Sequence, residues 1–259
     1  VLVGFGLTVA LSVLALFAGI VVLMEAGRRW GVRRRARDPH SLSGGVGPIE
    51  GAVFALMGLL IAFTFYGAAE RFDGRRTLSI DEANALGTAY LRLDMLPPDA
   101  RDALRERFVR YVDQRLAFYR DLHDREAAMR HMAATEALQV EIWARSVDAA
   151  AATEGPAASV VLLPALNQMF DIANTRRAIL KRHPPLGVFL LLGLMILTGA
   201  FMAGLVMSAS ARSTLHVLAF AFTMSVTVYF ILDYEYPRSG LVRVDATDQL
   251  LRDVRASMR

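Results

Sequence analysis

The sequence predicts an all-α membrane protein: four transmembrane helices in a two-plus-two arrangement, with a helical extramembrane domain between the pairs. Three observations carry this. Hydrophobic residues form 54% of the 259 residues and charged ones only 21%, against roughly 45–50% and about 25% in soluble domains. The apolar residues gather into four long runs, each near the roughly 20 residues that a helix needs to cross the hydrocarbon core. Neither the period-two alternation of a half-buried strand nor an Asn-Gly hairpin turn occurs. The chain also has no cysteine, which excludes a disulfide framework, a thiolate nucleophile, Cys-ligated zinc and an iron–sulfur cluster.

The first run, Val1 to Met24, is interrupted only by Thr8 and Ser12. No basic segment precedes it and no small-x-small cleavage site follows, so it reads as a spanning helix rather than a signal peptide. The second run, Gly51 to Ala69, stands between Glu50 and the charged Glu70, Arg71 and Asp73. Only Gly67 and Gly74 lower its helix propensity, so one long helix is expected from about Pro48 to just before Pro97, leaving the membrane partway. A third run, Leu186 to Ser208, follows Pro184-Pro185, and a fourth, about Leu215 to Leu232, ends at Asp233. In lipid every backbone polar group must be satisfied within its own segment, which makes four helices the economical reading.

The stretch from Glu70 to Arg182 balances acidic against basic side chains one for one and is strongly water-compatible. Leu104, Phe108, Tyr111, Val112, Leu116 and Tyr119 recur there at helical spacing, marking an amphipathic helix that opens near Pro98. After a break at Glu154-Gly155-Pro156, a second stripe of Leu163, Leu166, Met169, Phe170, Ala173, Ile179 and Leu180 approaches the third run. The resulting division is 1–69 for the first transmembrane pair with a basic loop at 25–49, 70–183 for the helical domain, 184–232 for the second pair and 233–259 for a C-terminal tail.

The net charge of +4 and pI near 9.7 trace mostly to Arg28, Arg29, Arg33, Arg34, Arg35 and Arg37. Short loops rich in arginine stay in the cytoplasm, and Arg212 falls on the same side. The N-terminus, the helical domain and the C-terminus are therefore expected outside the cytoplasm, in a multi-pass protein of the cell (inner) membrane. Apart from Trp30 no aromatic interleaves with these arginines, so they read as a topology signal with some attraction to anionic lipid, not as a nucleic-acid patch.

Within the second run Gly51, Ala55, Gly58, Ala62 and Ala69 recur at intervals of four and three, and Phe65 completes the stripe. Such a stripe suits close packing against a neighbouring helix, and it equally suits the lining of a path at the axis of an oligomer. Glu50 opens the run, where a carboxylate favours a helix N-terminus. Arg71 and Arg75, with Arg76, would form a positive ring in an oligomer about this helix, or would snorkel and pair with Glu70 and Asp73. No charge lies in the middle of any run, which argues against a proton pump or a charge-coupled transporter. Enzyme signatures fail. Gly44-Gly45-Val46-Gly47 lacks the Walker lysine and the dinucleotide spacing, His123 and His131 are too far apart for a helical zinc pair, and Asn167, Asp171 and Asn174 offer a single carboxylate. Neither catalysis, a metal nor a cofactor is expected.

Four segments together resemble the bacterial bestrophin-like membrane family, a domain of unknown function. They are Ile49-Glu50-Gly51 opening the long span, Glu82-Ala-Asn84-Ala-Leu86-Gly-Thr-Ala-Tyr90, the turn Leu96-Pro97-Pro98-x-Ala100-Arg101, and the tail Asp233-x-x-Tyr-Pro237-Arg238-Ser-Gly240-Leu-Val-Arg243-Val. Tyr66, Arg71-Phe72-x-Gly74-Arg75 and Asn84 are more distantly similar to the second helix of the bestrophin anion channels, with Asp73 in the place of a glutamate. The resemblance marks Glu50, Asn84, Asp233, Pro237 and Gly240 as family-motif residues. It implies a homo-oligomer, a pentamer by resemblance, that passes chloride or other small anions along the second span. The acidic calcium clasp of animal bestrophins is missing, so calcium gating is not implied. The expected partners are the lipid bilayer, further copies of the chain and small ions, with no nucleic acid. A second class of function is a non-conducting interaction or sensory protein whose helical domain binds a partner.

Overall fold

A computed structural model describes residues 2–38, 46–122, 124–180, 182–209, 213–236, 241–242 and 245–258. Among them there is no strand. The helices are α1 (Leu2–Arg37), α2 (Val46–Arg92), a 3-10 turn (Leu93–Met95), α3 (Pro98–Arg120), α4 (Arg125–Ala151), α5 (Ala157–Ile179), α6 (Leu186–Met207), α7 (Thr214–Glu235) and α8 (Asp245–Ser257). The chain divides into two compact units, one of Val3–Phe72 and His183–Val242, the other of Val1–Leu2, Asp73–Arg182 and Arg243–Arg259, so α2 contributes to both.

The first unit holds the apolar helices. Segments Gly6–Arg37, Pro48–Met95, Leu186–Met207 and Thr214–Glu235 are long and apolar enough to cross a membrane. Where the sequence suggests a loop after Met24, α1 continues through all the arginines to Arg37. Charge alone does not end a helix: arginine is a good helix former, and Glu25 pairs along the same face with Arg29 at 2.8 Å and Arg28 at 3.6 Å. Proline at position 39 is the first residue that a helix interior rejects. At 1.5 Å per residue, the 36 residues of α1 extend about 54 Å, well beyond the ~30 Å hydrocarbon core.

α1 and α6 meet backbone to backbone. A Cβ on Gly204 would stand 2.0 Å from the carbonyl oxygen of Met24, and one on Gly27 would stand 2.1 Å from that of Phe201. Each helix thus supplies the glycine that admits the other's carbonyl. Near the end of the contact Arg35 Nε donates to Ser208 Oγ at 3.1 Å. Ile20, Met24, Met57, Leu192, Ile196, Ala200, Ala221 and Ile231 form the buried core of this unit. α2 and α7 are joined by edge-on rings, Phe54 on Phe220 at 6.2 Å and Phe72 on Tyr234 at 5.3 Å.

The second unit is built from the remainder of α2 with α3, α4, α5 and α8. Proline opens α3, where its missing N–H costs nothing. Asp124 caps α4, its Oδ1 accepting from the N–H groups of Glu126 at 3.0 Å and Ala127 at 3.1 Å. Gly155 takes a left-handed φ of 79° in the turn to α5, a conformation that glycine adopts without strain. Leu104, Phe108, Tyr111, Val112 and Tyr119 of the first amphipathic stripe are buried, as are Leu166, Met169 and Ala173 of the second. The segment read as a tail forms α8 and buries Leu251 and Met258 in this same core.

Two tyrosines in this core set an alkaline limit. Burial, opposed by Arg115 and reinforced by Glu82, pushes the Tyr111 phenol from its ordinary 10 up to about 12. Burial and then Glu82 push Tyr119 up as well. A folded-state pKa above the unfolded one gives stability that is complete below pH 10 and is lost as pH rises through about 12. In an alkaline titration, phenolate absorbance from two of the seven tyrosines is expected to lag and to appear together with loss of helical circular dichroism. Tyr111→Phe should narrow the gap; early ionisation of all seven in the folded protein would contradict the assignment.

Candidate functional site

The site candidate is built on α2. Phe54, Met57, Ile61 and Ala68 pack into the core of the apolar unit, and at about 100° per residue they share one side of the helix. The small-residue stripe lies about a quarter turn away. Gly51, Ala55, Gly58, Ala62 and Phe65 are exposed and Ala69 is half-buried. A Cβ on Gly51 or Gly58 would meet nothing within 4 Å, in contrast with Gly27 and Gly204. Phe65 also leans on Tyr234, with ring centroids 5.6 Å apart. On the far side Leu56, Leu59, Phe63 and Tyr66 are exposed by half to two-thirds. Close packing within the chain therefore explains the glycines of the α1–α6 contact but not those of α2.

At the end of this face two of the three arginines, Arg71 and Arg75, are committed inside the chain. Arg71 reaches Glu235, with Nε and Nη2 each 2.8 Å from Oε2. His183 Nδ1 lies 3.0 Å from Oε1 of the same carboxylate, and its ring stacks on Tyr236 at 4.6 Å. Glu235 is fully buried, so a guanidinium and an imidazole meet a desolvated carboxylate and tie α2 to α7 and to the residue before Pro184. Arg75, also buried, donates to the carbonyl of Arg182 at 3.2 Å. Of the three arginines only Arg76 is exposed. Glu235 and His183 escape a reading of the sequence because nothing in their spacing connects them to Arg71; the one signal is a second carboxylate close behind Asp233 at the end of an apolar run.

The family-motif residues fall in separate places. Glu50 is half-buried in the second turn of α2 and not at its start, because the helix begins at Val46; it lies beyond the first-turn N–H groups that a capping carboxylate serves. Asp233 is buried, and its Oδ2 accepts from the N–H groups of Leu241 at 3.2 Å and Val242 at 3.0 Å, fixing the chain after α7. Pro237 and Gly240 lie outside the described residues, as do Arg212 and His123. Asn84 is exposed and lines an open groove of about 340 Å³ with Asp81, Thr88 and Gln168. Asn167 donates to Asp171 at 3.0 Å, and His131 bonds Gln114 at 2.8 Å and Asp121 at 3.2 Å.

One residue before the buried Ala83, the fully buried Glu82 anchors a charge network. Arg115 Nε donates to its Oε1 at 2.6 Å and Arg176 Nη1 to its Oε2 at 2.5 Å. Arg176 also reaches Asp248 at 2.9 Å, and Arg115 donates to the Tyr119 hydroxyl at 2.6 Å. The Arg176 guanidinium sits 3.9 Å over the Tyr119 ring. Two cations and two carboxylates from α2, α3, α5 and α8 neutralise one another, which marks a structural clasp rather than a reactive centre.

Fold and site define an all-α membrane protein with four membrane-length helices, whose second helix also enters a helical unit. The family model described as the Bestrophin-like domain matches residues 14–248, and the chain belongs to that family. No curated protein and no solved structure matches the chain.

Proposed function

We propose that the protein is a homo-oligomeric ion channel in which α2 stands nearest the axis, with five copies, the number that the family resemblance implies. The observation that carries this is the small-residue face of α2, where Gly51, Ala55, Gly58 and Ala62 are exposed and a Cβ on either glycine would meet nothing within 4 Å among the described residues. A helix face of small residues admits another backbone or a permeating ion, and the described residues bring no backbone against Gly51 or Gly58. The anion preference rests on the family resemblance and on Arg76, which follows Ala69 two turns on in register with the stripe. Glu70 and Asp73, also exposed, oppose it.

The absence of cysteine makes the test clean. Purified protein in liposomes is expected to pass chloride, with a reversal potential in a salt gradient that favours anions, and Arg76→Glu is expected to move that potential toward cations. Single cysteines at Ala55, Gly58 and Ala62 should cross-link copies to one another, and a charged thiol reagent should reduce flux severalfold there but not at Leu190, an exposed position on α6. Absence of flux from all preparations defeats the channel; equal inhibition at Leu190 defeats the axial placement of α2.

A second reading, a non-conducting sensory protein, draws on the polar groove at Asp81, Asn84, Thr88 and Gln168. It expects no flux, together with saturable binding of a small polar ligand that Asn84→Leu abolishes.

A further inference from the structure

The arginine end of α1 carries a surface that ion conduction does not use. An open groove of about 690 Å³ lies between α1 and Phe201 of α6. Val21, Val22, Ala26 and Phe201 form its apolar wall, and Glu25, Arg29, Trp30 and Arg33 its rim. Val22 precedes Arg29 by about two turns, so the wall changes from apolar to cationic over roughly 10 Å along one helix face. Trp30 is 44% exposed. Its ring lies 6.1 Å from that of Phe201 and the Arg34 guanidinium covers it at 5.1 Å, the placement of an aromatic residue at a membrane–water interface. Glu25 holds Arg29 Nε at 2.8 Å and pairs with Arg28 at 3.6 Å, yet it is one carboxylate beside Arg28, Arg29 and, a turn further on, Arg33, and the rim stays cationic.

This sequence of surfaces has the polarity of an amphiphile with a negative head. Arg29 and Arg33 are one helical turn apart, about 6 Å, a separation at which two guanidiniums can hold one phosphodiester by charge-assisted hydrogen bonds. A free phosphate ion would leave Val21, Val22 and Phe201 without a role. We propose that the groove is a binding site for an anionic phospholipid, its acyl chains along Val21, Val22 and Phe201 and its headgroup phosphate between Arg29 and Arg33.

The full-length protein, exchanged into bilayer discs of mixed phosphatidylglycerol and phosphatidylcholine and released for native mass spectrometry, is expected to retain phosphatidylglycerol in excess. Arg29→Gln with Arg33→Gln should lower that excess about five-fold per arginine. Ala26→Trp, which fills the groove and leaves the charge unchanged, should lower it comparably. Arg37→Gln removes the same charge one turn beyond the groove and should leave the excess intact. The proposal is overturned if Arg37→Gln acts like Arg33→Gln, which would mean diffuse attraction. It is equally overturned if glycerol phosphate or inorganic phosphate displaces the lipid, which would mean a headgroup-only anion site, or if Ala26→Trp has no effect.

Discussion

Replacing Glu82 by alanine is expected to cost about 3–5 kcal/mol of folding stability, the range for removing one partner from a buried ion pair. Glu82 is fully buried, and Arg115 and Arg176 are 5% and 4% exposed. Without it Arg115 keeps the Tyr119 hydroxyl but no carboxylate that a described contact supplies, and its charge remains out of water. The attraction between the ions does not itself set the size of the effect; the stranded guanidinium does. A paired replacement, Glu82→Met with Arg115→Met, removes both charges, while Arg176 retains Asp248, so it should restore part of the loss. Urea unfolding in a Trp30→Phe background isolates Trp143 of α4 as the reporter. A loss below about 1 kcal/mol for Glu82→Ala, or equal losses for single and double variants, would show that the clasp does not hold the unit together.

Gly204→Ala sets two effects of opposite sign against each other. Alanine is the better helix former by about 1 kcal/mol. The added Cβ, however, would lie 2.0 Å from the Met24 carbonyl oxygen, and backbone cannot rotate away as a side chain can. α1 and α6 must separate, and overpacking of this kind costs about 1–3 kcal/mol or more. The clash wins, and Gly204→Val should be worse. A Cβ on Gly193, in the same helix, would meet nothing within 4 Å, so Gly193→Ala is expected to be neutral or slightly stabilising. Thermal unfolding of the three variants in one detergent decides: Gly204→Ala as stable as Gly193→Ala would refute the close crossing.

The long α2 and the start of α3 are legible because proline states its position in the sequence: the helix runs to the 3-10 turn before Pro97 and the next opens at Pro98. The amphipathic stripe from Leu104 to Tyr119 is legible for the same local reason, a repeat at helical spacing. Arginines after Met24 suggest a loop only where a hydropathy boundary is equated with a helix boundary, and arginine propagates helix well. α8 carries the same kind of signal on a smaller scale: Leu251, Val254 and Met258 stand at i, i+3 and i+7 along and just past its 13 residues, a repeat that reading the segment as a tail passes over. The exposed stripe on α2 is visible as a pattern, but its two readings need the packing of the neighbouring helices to separate. Glu82, Arg115, Arg176 and Asp248 are invisible as a group, their bonded pairs lying 33, 94 and 72 positions apart.

The glycine crossing of α1 and α6 has a consequence in time. Arg35 and Ser208, which close the contact, are separated by 173 positions. At roughly 5–20 residues per second, synthesis leaves about 9–35 seconds between the appearance of one helix and that of its partner. For that interval α1 stands in the bilayer without α6, its backbone satisfied by its own hydrogen bonds. The crossing is therefore made after insertion: α1 waits in the membrane for a helix synthesised well after it, and the notches at Gly27 and Gly204 close only when Phe201 and Met24 meet them.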